Sequence, residues 1–420
     1  MKRKIIFPSL VLIISVVLSA CIGLIPLEDN TASGDFGPAY SSQEHQTRVF
    51  DAIWSHLQNN YIYYESASVD WDALNKKYLE RINSGLSNEE FTTLIQELEA
   101  ELPEGSMTYQ SRAERIEAET SDLSTYDGIG AFIGFREDPV PHIILLSVIE
   151  GSPAELAGLK AHDSIFEIDG NPIQLEEGTN AVNRIRGPAG SSVTLNVQSP
   201  GESERSIELQ RAKLTSTGAL EAELIPGTNF GYLLLPPIGY ENLVEDVLAS
   251  LQSFSTNRTM EGLILDLRIA GSARGWPLEE LFTLFHNGDA GEFYNNQNQK
   301  QVVSITGQDQ FNSQSVPLVI LVGNNTTGSP EILAASLQAA DRAEIVGTTT
   351  PGEIESTASF YLPNGSRVFI ESASFRLSNG DELGTSGVKP DVLVEADWDE
   401  ILPDADPVLD AAVELLDTQQ

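Results

Sequence analysis

Two short runs in the second half of the chain, Gly231–Leu235 and Leu263–Leu267, are apolar at nearly every position, and each is followed by a stretch of helical periodicity, Asn242–Phe254 and Pro277–Phe285. A third apolar run, Pro317–Val322, leads into a turn rich in Thr, Gly and Ser and then another helical stretch. A strand that is apolar on both faces has to be covered on both. Strands alternating with helices achieve this in a mainly parallel sheet with a layer on each side. The pattern predicts an α/β core. Ligand sites in such sheets lie beyond the carboxyl ends of the strands, so the segments after Leu267 and after Val322 are the first places to look for chemistry.

The amino-terminal end follows different rules. Lys2, Arg3 and Lys4 precede the apolar run Ile5–Val17, and Leu18-Ser19-Ala20 then leads to Cys21. That order resembles a bacterial lipobox and predicts an export signal over 1–21, with a lipid anchor at Cys21 after cleavage. The expected location is the bacterial cell envelope, on a membrane face outside the cytoplasm. Residues 22–43, rich in Pro, Gly, Asn, Asp and Ser without periodicity, read as a tether. No other stretch reaches the roughly 18 to 20 apolar residues that a span needs. From 44 to 120, Val49, Ile53, Leu57 and Tyr61, then Leu74, Tyr78 and Ile82, then Leu94, Leu98 and Leu102 recur at helical spacing. Ser87 before Asn88-Glu89-Glu90 is placed to cap the third helix.

Composition narrows the partners. The chain has 420 residues, 41% apolar and 20% charged, which suits several folded domains. Its net charge of −38 repels phosphate backbones and anionic lipid headgroups, which argues against nucleic acid and favours a cationic or unfolded polypeptide. A single cysteine allows no intrachain disulfide, and five scattered histidines show no ligand spacing, so no metal or cofactor is expected. The acidic run Glu395–Glu400 reads as solvated surface.

Two longer motif strings carry resemblances. Gly128-Ile129-Gly130-Ala131, the apolar stretch His142–Val148, Gly151-Ser152-Pro153-Ala154-Glu155-Leu156-Ala157-Gly158-Leu159 and Asp163-Ser164-Ile165-Phe166-Glu167-Ile168-Asp169-Gly170 together are similar to a PDZ domain, over 125–212. A Gly-rich turn ahead of an exposed strand offers unpaired amides that can hold a terminal carboxylate while the peptide adds a strand. Gly128, Ile129, Gly130 and Ala131 are the residues expected to form that loop. The second string is Thr326-Thr327-Gly328-Ser329-Pro330-Glu331, the helix to Gln338, Asp341-Arg342-Ala343-Glu344-Ile345-Val346-Gly347, Gly387-Val388-Lys389-Pro390-Asp391 and Asp406-Pro407-Val408-Leu409-Asp410-Ala411-Ala412. It resembles the C-terminal processing, or tail-specific, serine peptidases, and implies their α/β core over 213–420. The whole chain is then an α/β and β multidomain protein with a helical N-terminal region, a PDZ domain and a tail-specific-peptidase-like core.

The same resemblance exposes a departure. The family's nucleophilic serine falls on Gly328, its general-base lysine on Glu353 and the glutamine that orients the lysine on Thr357. Its oxyanion segment corresponds to Asp266-Leu267-Arg268-Ile269-Ala270-Gly271-Ser272, where Gly271 and Ser272 stand near the donor position but the Gly-Gly pair is displaced. Ser329, one residue along and followed by Pro330, reads as a helix cap. Asp266 and Arg268 read as an ion pair that shapes the turn. The sequence therefore points to a catalytically degenerate member that binds polypeptide C-termini or unfolded segments. Two alternatives remain: an active serine endopeptidase using Ser329, and a structural envelope protein.

Overall fold

The computed structural model describes residues 42–103, 105–120, 125–215, 218–256, 259–271, 276–402 and 405–419. The expected export signal with Cys21, most of the tether, and Ser272 lie outside the described residues.

Three helices open the fold, Gln43–Asn60, Trp71–Asn83 and Asn88–Glu101, each begun by a side-chain cap from Ser42, Asp70 or Ser87. At the third, Ser87 Oγ accepts from the Glu90 amide at 3.2 Å while Glu90 Oε2 accepts from the Ser87 amide at 2.8 Å. This reciprocal pair satisfies two amides that the helix itself leaves open. Ser87→Ala should lower stability by about 1 kcal/mol, read as a shift in a urea unfolding midpoint. The helices bury Val49, Ile53, Leu57, Tyr78, Ile82, Leu94 and Leu98, and they close over Leu362, Val368 and Ile370 from far along the chain. The helical region thus shares its apolar core with the C-terminal hairpin.

The next region is a β domain. Strands Ala131–Arg136, His142–Val148, Ser164–Ile168, Ser192–Gln198 and Arg205–Gln210 pair in that spatial order, which leaves Ala131–Arg136 at an edge. Strand Thr125–Gly128 pairs instead with Ala212–Thr215. Ile143, Leu145, Ile165, Leu195 and Val197 form the domain's buried core.

The α/β core is built on the strand order Glu221–Leu224, Phe230–Leu234, Gly262–Asp266, Leu318–Val322, Glu344–Gly347 and Val392–Leu393, antiparallel at the first pair and parallel thereafter. Alternation along the strands sends Leu233, Leu263, Leu265 and Ile320 to one face, under helices Leu243–Ser255, Leu278–Phe285 and Ser329–Ala339. Phe230, Ile264, Val319, Leu321 and Val346 face the other way, onto helix Pro407–Thr418. A second sheet is antiparallel: Thr108–Gln110, Arg367–Leu377, Gly288–Asn295 and Lys300–Ile305 in that order, with Ser356–Tyr361 also paired to Arg367–Leu377. No helix among the described residues is long and apolar enough to cross a membrane.

Candidate functional site

The parallel sheet brings the two segments singled out above side by side. Asp266 pairs with Leu321, the Leu267 amide donates to Leu321 O at 2.8 Å, and Thr326 Oγ1 donates to Leu267 O at 2.8 Å. The Thr327 amide reaches Ala270 O at 3.1 Å. Strand Leu318–Val322 then ends in a sharp turn whose pivot is Gly328, at φ 68°, ψ −124°, immediately before helix Ser329–Ala339. Few residues other than glycine hold that backbone conformation without strain. A strand-to-helix elbow of this shape is what exposes a nucleophile in hydrolase folds, but here the pivot carries no side chain.

Glu331 holds the elbow together. It is fully buried, in an otherwise apolar run of the helix. Its carboxylate accepts from the Gly328 amide at 2.9 Å, from the Gly352 amide at 2.7 Å and from the Thr350 hydroxyl in a short contact. Thr350 Oγ1 in turn accepts from the Val388 amide at 2.8 Å. One carboxylate therefore fastens the elbow to the loop that precedes Glu353. Burial pushes the Glu331 carboxyl above its ordinary pKa, and the Thr350, Gly352 and Gly328 hydrogen bonds pull it back only in part.

The residues expected to do chemistry do not converge. Glu353 and Thr357 are exposed, and Thr357 lies in strand Ser356–Tyr361 opposite Glu371. The Gly271 amide donates to Pro237 O at 3.1 Å instead of facing open space. Ser329 is half-buried and occupies the first helical position, with Gly328 as the cap residue. The cap reading of Ser329 is therefore corrected by one position, because the Glu331 side chain already closes the turn from inside the helix. Among the described residues no group of three or more His, Cys, Asp or Glu side chains is placed to hold a metal.

Asp266 and Arg268 form the ion pair read from the sequence, within a larger cluster. Arg268 is 5% exposed and donates to Asp266 Oδ2 at 2.6 Å and to Asp406 Oδ2 at 2.7 Å. The Arg268 amide also donates to Asp266 Oδ1 at 3.0 Å, which fixes the turn. Asp406 caps helix Pro407–Thr418 through the Val408 and Leu409 amides. Burial works against the Arg268 charge, but Asp266 and Asp406 more than offset it and hold the guanidinium protonated. Tyr232 donates to Asp266 Oδ2 at 2.7 Å, and burial beside that carboxylate pushes its phenol well above the ordinary value.

In the β domain, the loop Gly128–Ala131 lies at the start of the edge strand. Its carbonyls are used: Ile129 O accepts from Ala154 at 2.8 Å and Gly130 O from Ile149 at 2.9 Å. The Ile129 and Gly130 amides have no hydrogen-bond partner among the described residues. Gly130 has φ +90°, and a Cβ there would sit 2.2 Å from Ser152 Cβ. Two successive unpartnered amides at a glycine turn form a concavity suited to an anion. The acidic run Glu395–Glu400 is only partly the solvated surface expected from composition: Glu395 and Glu400 are exposed, but Trp398 is 7% exposed and Asp399 is ion-paired to Arg136 and hydrogen-bonded to His142.

These features match a known class. Residues 229–394 match the model for Peptidase family S41, residues 144–199 that for the PDZ domain and residues 42–100 that for the Tricorn protease C1 domain. The chain therefore carries an S41-family peptidase domain together with a PDZ domain. It is 29% identical over 380 residues to the carboxyl-terminal-processing protease of Synechocystis sp., covering 86% of this chain and 85% of that protein. With the carboxy-terminal processing protease CtpB of Bacillus subtilis it shares 26% identity over 288 residues, 65% of this chain and 56% of CtpB. Among solved structures, the photosystem II D1 C-terminal processing protease has the same fold, with a TM-score of 0.64 at 24% identity, over 86% of this chain and 95% of that one. Mature CPAF aligns with a TM-score of 0.52 at 12% identity, over 89% and 96% of the two chains.

The sequence reading missed Glu331, Thr350 and the role of Glu395–Leu402. A carboxylate in the middle of Pro330, Ile332, Leu333, Ala334 and Ala335 was the available signal for the first.

Proposed function

We propose that this chain is an exported, lipid-anchored S41-family protein that binds polypeptide C-termini through its PDZ domain and does not cleave them. The observation that carries the reading is the elbow itself: Gly328 holds the nucleophile position at φ 68°, ψ −124°, with Glu331 keeping the turn intact around it. A hydrolytic site needs a nucleophile and a base within hydrogen-bond reach of each other. Gly328 has no side chain, and the side chains of Glu353 and Thr357 point into solvent. A working Ser329 would sit one residue away from the pivot, and displacements of about 1 Å already cost around a hundredfold in rate.

The relatives named for carboxyl-terminal processing act on chain ends. The Ile129 and Gly130 amides offer this chain a place for a terminal carboxylate, with the edge strand Ala131–Arg136 beside it for strand addition. Export and anchoring rest on the Lys2-to-Cys21 pattern.

Titration with an extended peptide tests the binding half. A peptide with a free C-terminal carboxylate should bind at least tenfold more tightly than its amidated form. Gly130→Ala, which forces a Cβ against Ser152 at a positive φ, should weaken binding of the free-acid peptide by tenfold or more while leaving the amidated peptide little changed. Equal affinity for the two peptides would overturn the reading.

A further inference from the structure

The segment from Glu395 to Leu402 lies between the PDZ domain and the core and makes charged, polar and apolar contacts with both. Toward the PDZ domain, Arg136 pairs with Asp397 at 2.5 Å and with Asp399 at 2.8 Å, and His142 Nε2 lies 2.9 Å from Asp399 Oδ2. Trp398 Nε1 donates to Leu145 O at 3.1 Å, and the His162 ring nitrogen Nδ1 lies 2.6 Å from Trp398 O. Toward the core, Asp397 Oδ1 accepts from Asn324 Nδ2 at 2.8 Å, and the Arg268 guanidinium lies over the Trp398 ring at 5.2 Å. Trp398 and Ile401 pack in one apolar cluster with Ile144 and Leu146 of the PDZ domain and Leu234 and Ile269 of the core.

Asp397 is the hinge of this arrangement, because one carboxylate joins Arg136 on the PDZ edge strand to Asn324 on the turn that leads to Gly328. The neighbouring residue completes the approach. A Cβ placed on Gly134, in the middle of the edge strand, would lie 2.4 Å from Asn325 Oδ1 and 3.3 Å from Asn325 Cγ. The Asn325 side chain therefore lies directly against the strand at Gly134. The space left between the two domains here, lined by Arg136, Ile144, Arg268, Asn325 and Trp398 among others, amounts to about 50 Å³.

We propose that Glu395–Leu402 is a positioning element that locks the edge strand of the PDZ domain against the Asn324–Gly328 turn, so that a chain seated by its C-terminal carboxylate lies at a fixed place beside that turn. Its consequence for a bound chain rests on the peptide-binding reading above; the docking itself does not. Asp399 is 9% exposed, and a largely buried charge left without its partner is disfavoured. Loss of one partner should therefore free the domain rather than leave it docked on weaker contacts.

The absence of other cysteines makes the docking directly readable. With Cys21→Ser, the pair Gly134→Cys and Asn325→Cys supplies the only thiols in the chain, and a Cβ at 134 would stand 3.3 Å from the place of Asn325 Cγ, which brings the two side chains together. The intact element should give rapid, near-complete cross-linking under mild oxidation. Adding Arg136→Gln or Asp397→Asn should slow cross-linking at least tenfold, and Trp398→Ala should slow it further. Arg136→Gln, at a partly exposed side chain, guards against the trivial outcome in which the tryptophan variant fails to fold. Cross-linking within twofold of the parent in both charge variants would overturn the positioning role. Peptide titration of the same proteins separates the two claims: the free-acid peptide should keep its affinity for the PDZ loop in Asp397→Asn, which lies outside the loop and the edge strand. If no peptide binds while cross-linking still depends on Arg136 and Asp397, the binding reading fails and the docking stands.

Discussion

Glu331→Ala should destabilise the core by about 3–5 kcal/mol, since it leaves the Gly328 and Gly352 amides and the Thr350 hydroxyl buried without their acceptor. Hydrogen bonds to a charged group are each worth about 1.5–3 kcal/mol and do not add in full. Glu331→Gln is expected to recover only part of the loss, because an amide group turns two donors of its own toward donors. The pH dependence has a definite sign. Burial raises the folded-state pKa of Glu331, so the folded chain holds this proton more tightly than the unfolded chain does. The resulting contribution is fully present below the ordinary carboxylate value and is lost as pH rises through the raised one. Unfolding midpoints of parent and Glu331→Gln across that window check this: the parent should lose stability with rising pH relative to the variant.

Arg268→Met should cost a similar amount, about 3–5 kcal/mol, for a different reason. Its removal leaves Asp266, which is fully buried, and Asp406 in one cluster without the cation that joins them. The loss should spread beyond the turn, because Asp406 also caps the closing helix, whose Val408, Ala412 and Leu416 cover one face of the parallel sheet. Asp266→Asn combined with Arg268→Met should restore a substantial part of the stability by removing the orphaned charge. A single Arg268→Met variant that unfolds at the parent's midpoint would show that the pair contributes nothing net.

Much of the architecture was legible because burial leaves a periodic trace. The apolar runs around Leu233, Leu265 and Ile320 became the central strands, and helical spacing located helices Leu243–Ser255 and Leu278–Phe285 on one face of the sheet, while the helix on the other face was read only from the family resemblance. The antiparallel sheet left no such trace. Its strand Gly288–Asn295 carries Asp289, Gly291 and Glu292, and a register shift between Asp289 and Gly291 breaks the alternation a reader would look for. The candidate site was legible only in part. That the elbow carries a glycine at Gly328 could be read from one position in the string, and the adjacency of the segments after Leu267 and Val322 followed from the parallel sheet. The carboxylate that holds the elbow could not be read this way, since its partners Thr350 and Gly352 come from a distant loop and its donors are two backbone amides and a hydroxyl, with no sequence signature. The acidic run Glu395–Glu400 misled through composition: four acids suggest solvent, whereas Trp398 in their midst marks a buried contact.

The most direct test of the pseudopeptidase reading is hydrolysis of an unstructured protein substrate by the purified chain, with Ser329→Ala run beside it. The reading predicts no cleavage above the rate without protein in either sample, together with retained binding of free-acid peptides. Cleavage by the parent that disappears in Ser329→Ala would contradict it and show that the nucleophile has moved one residue along the elbow.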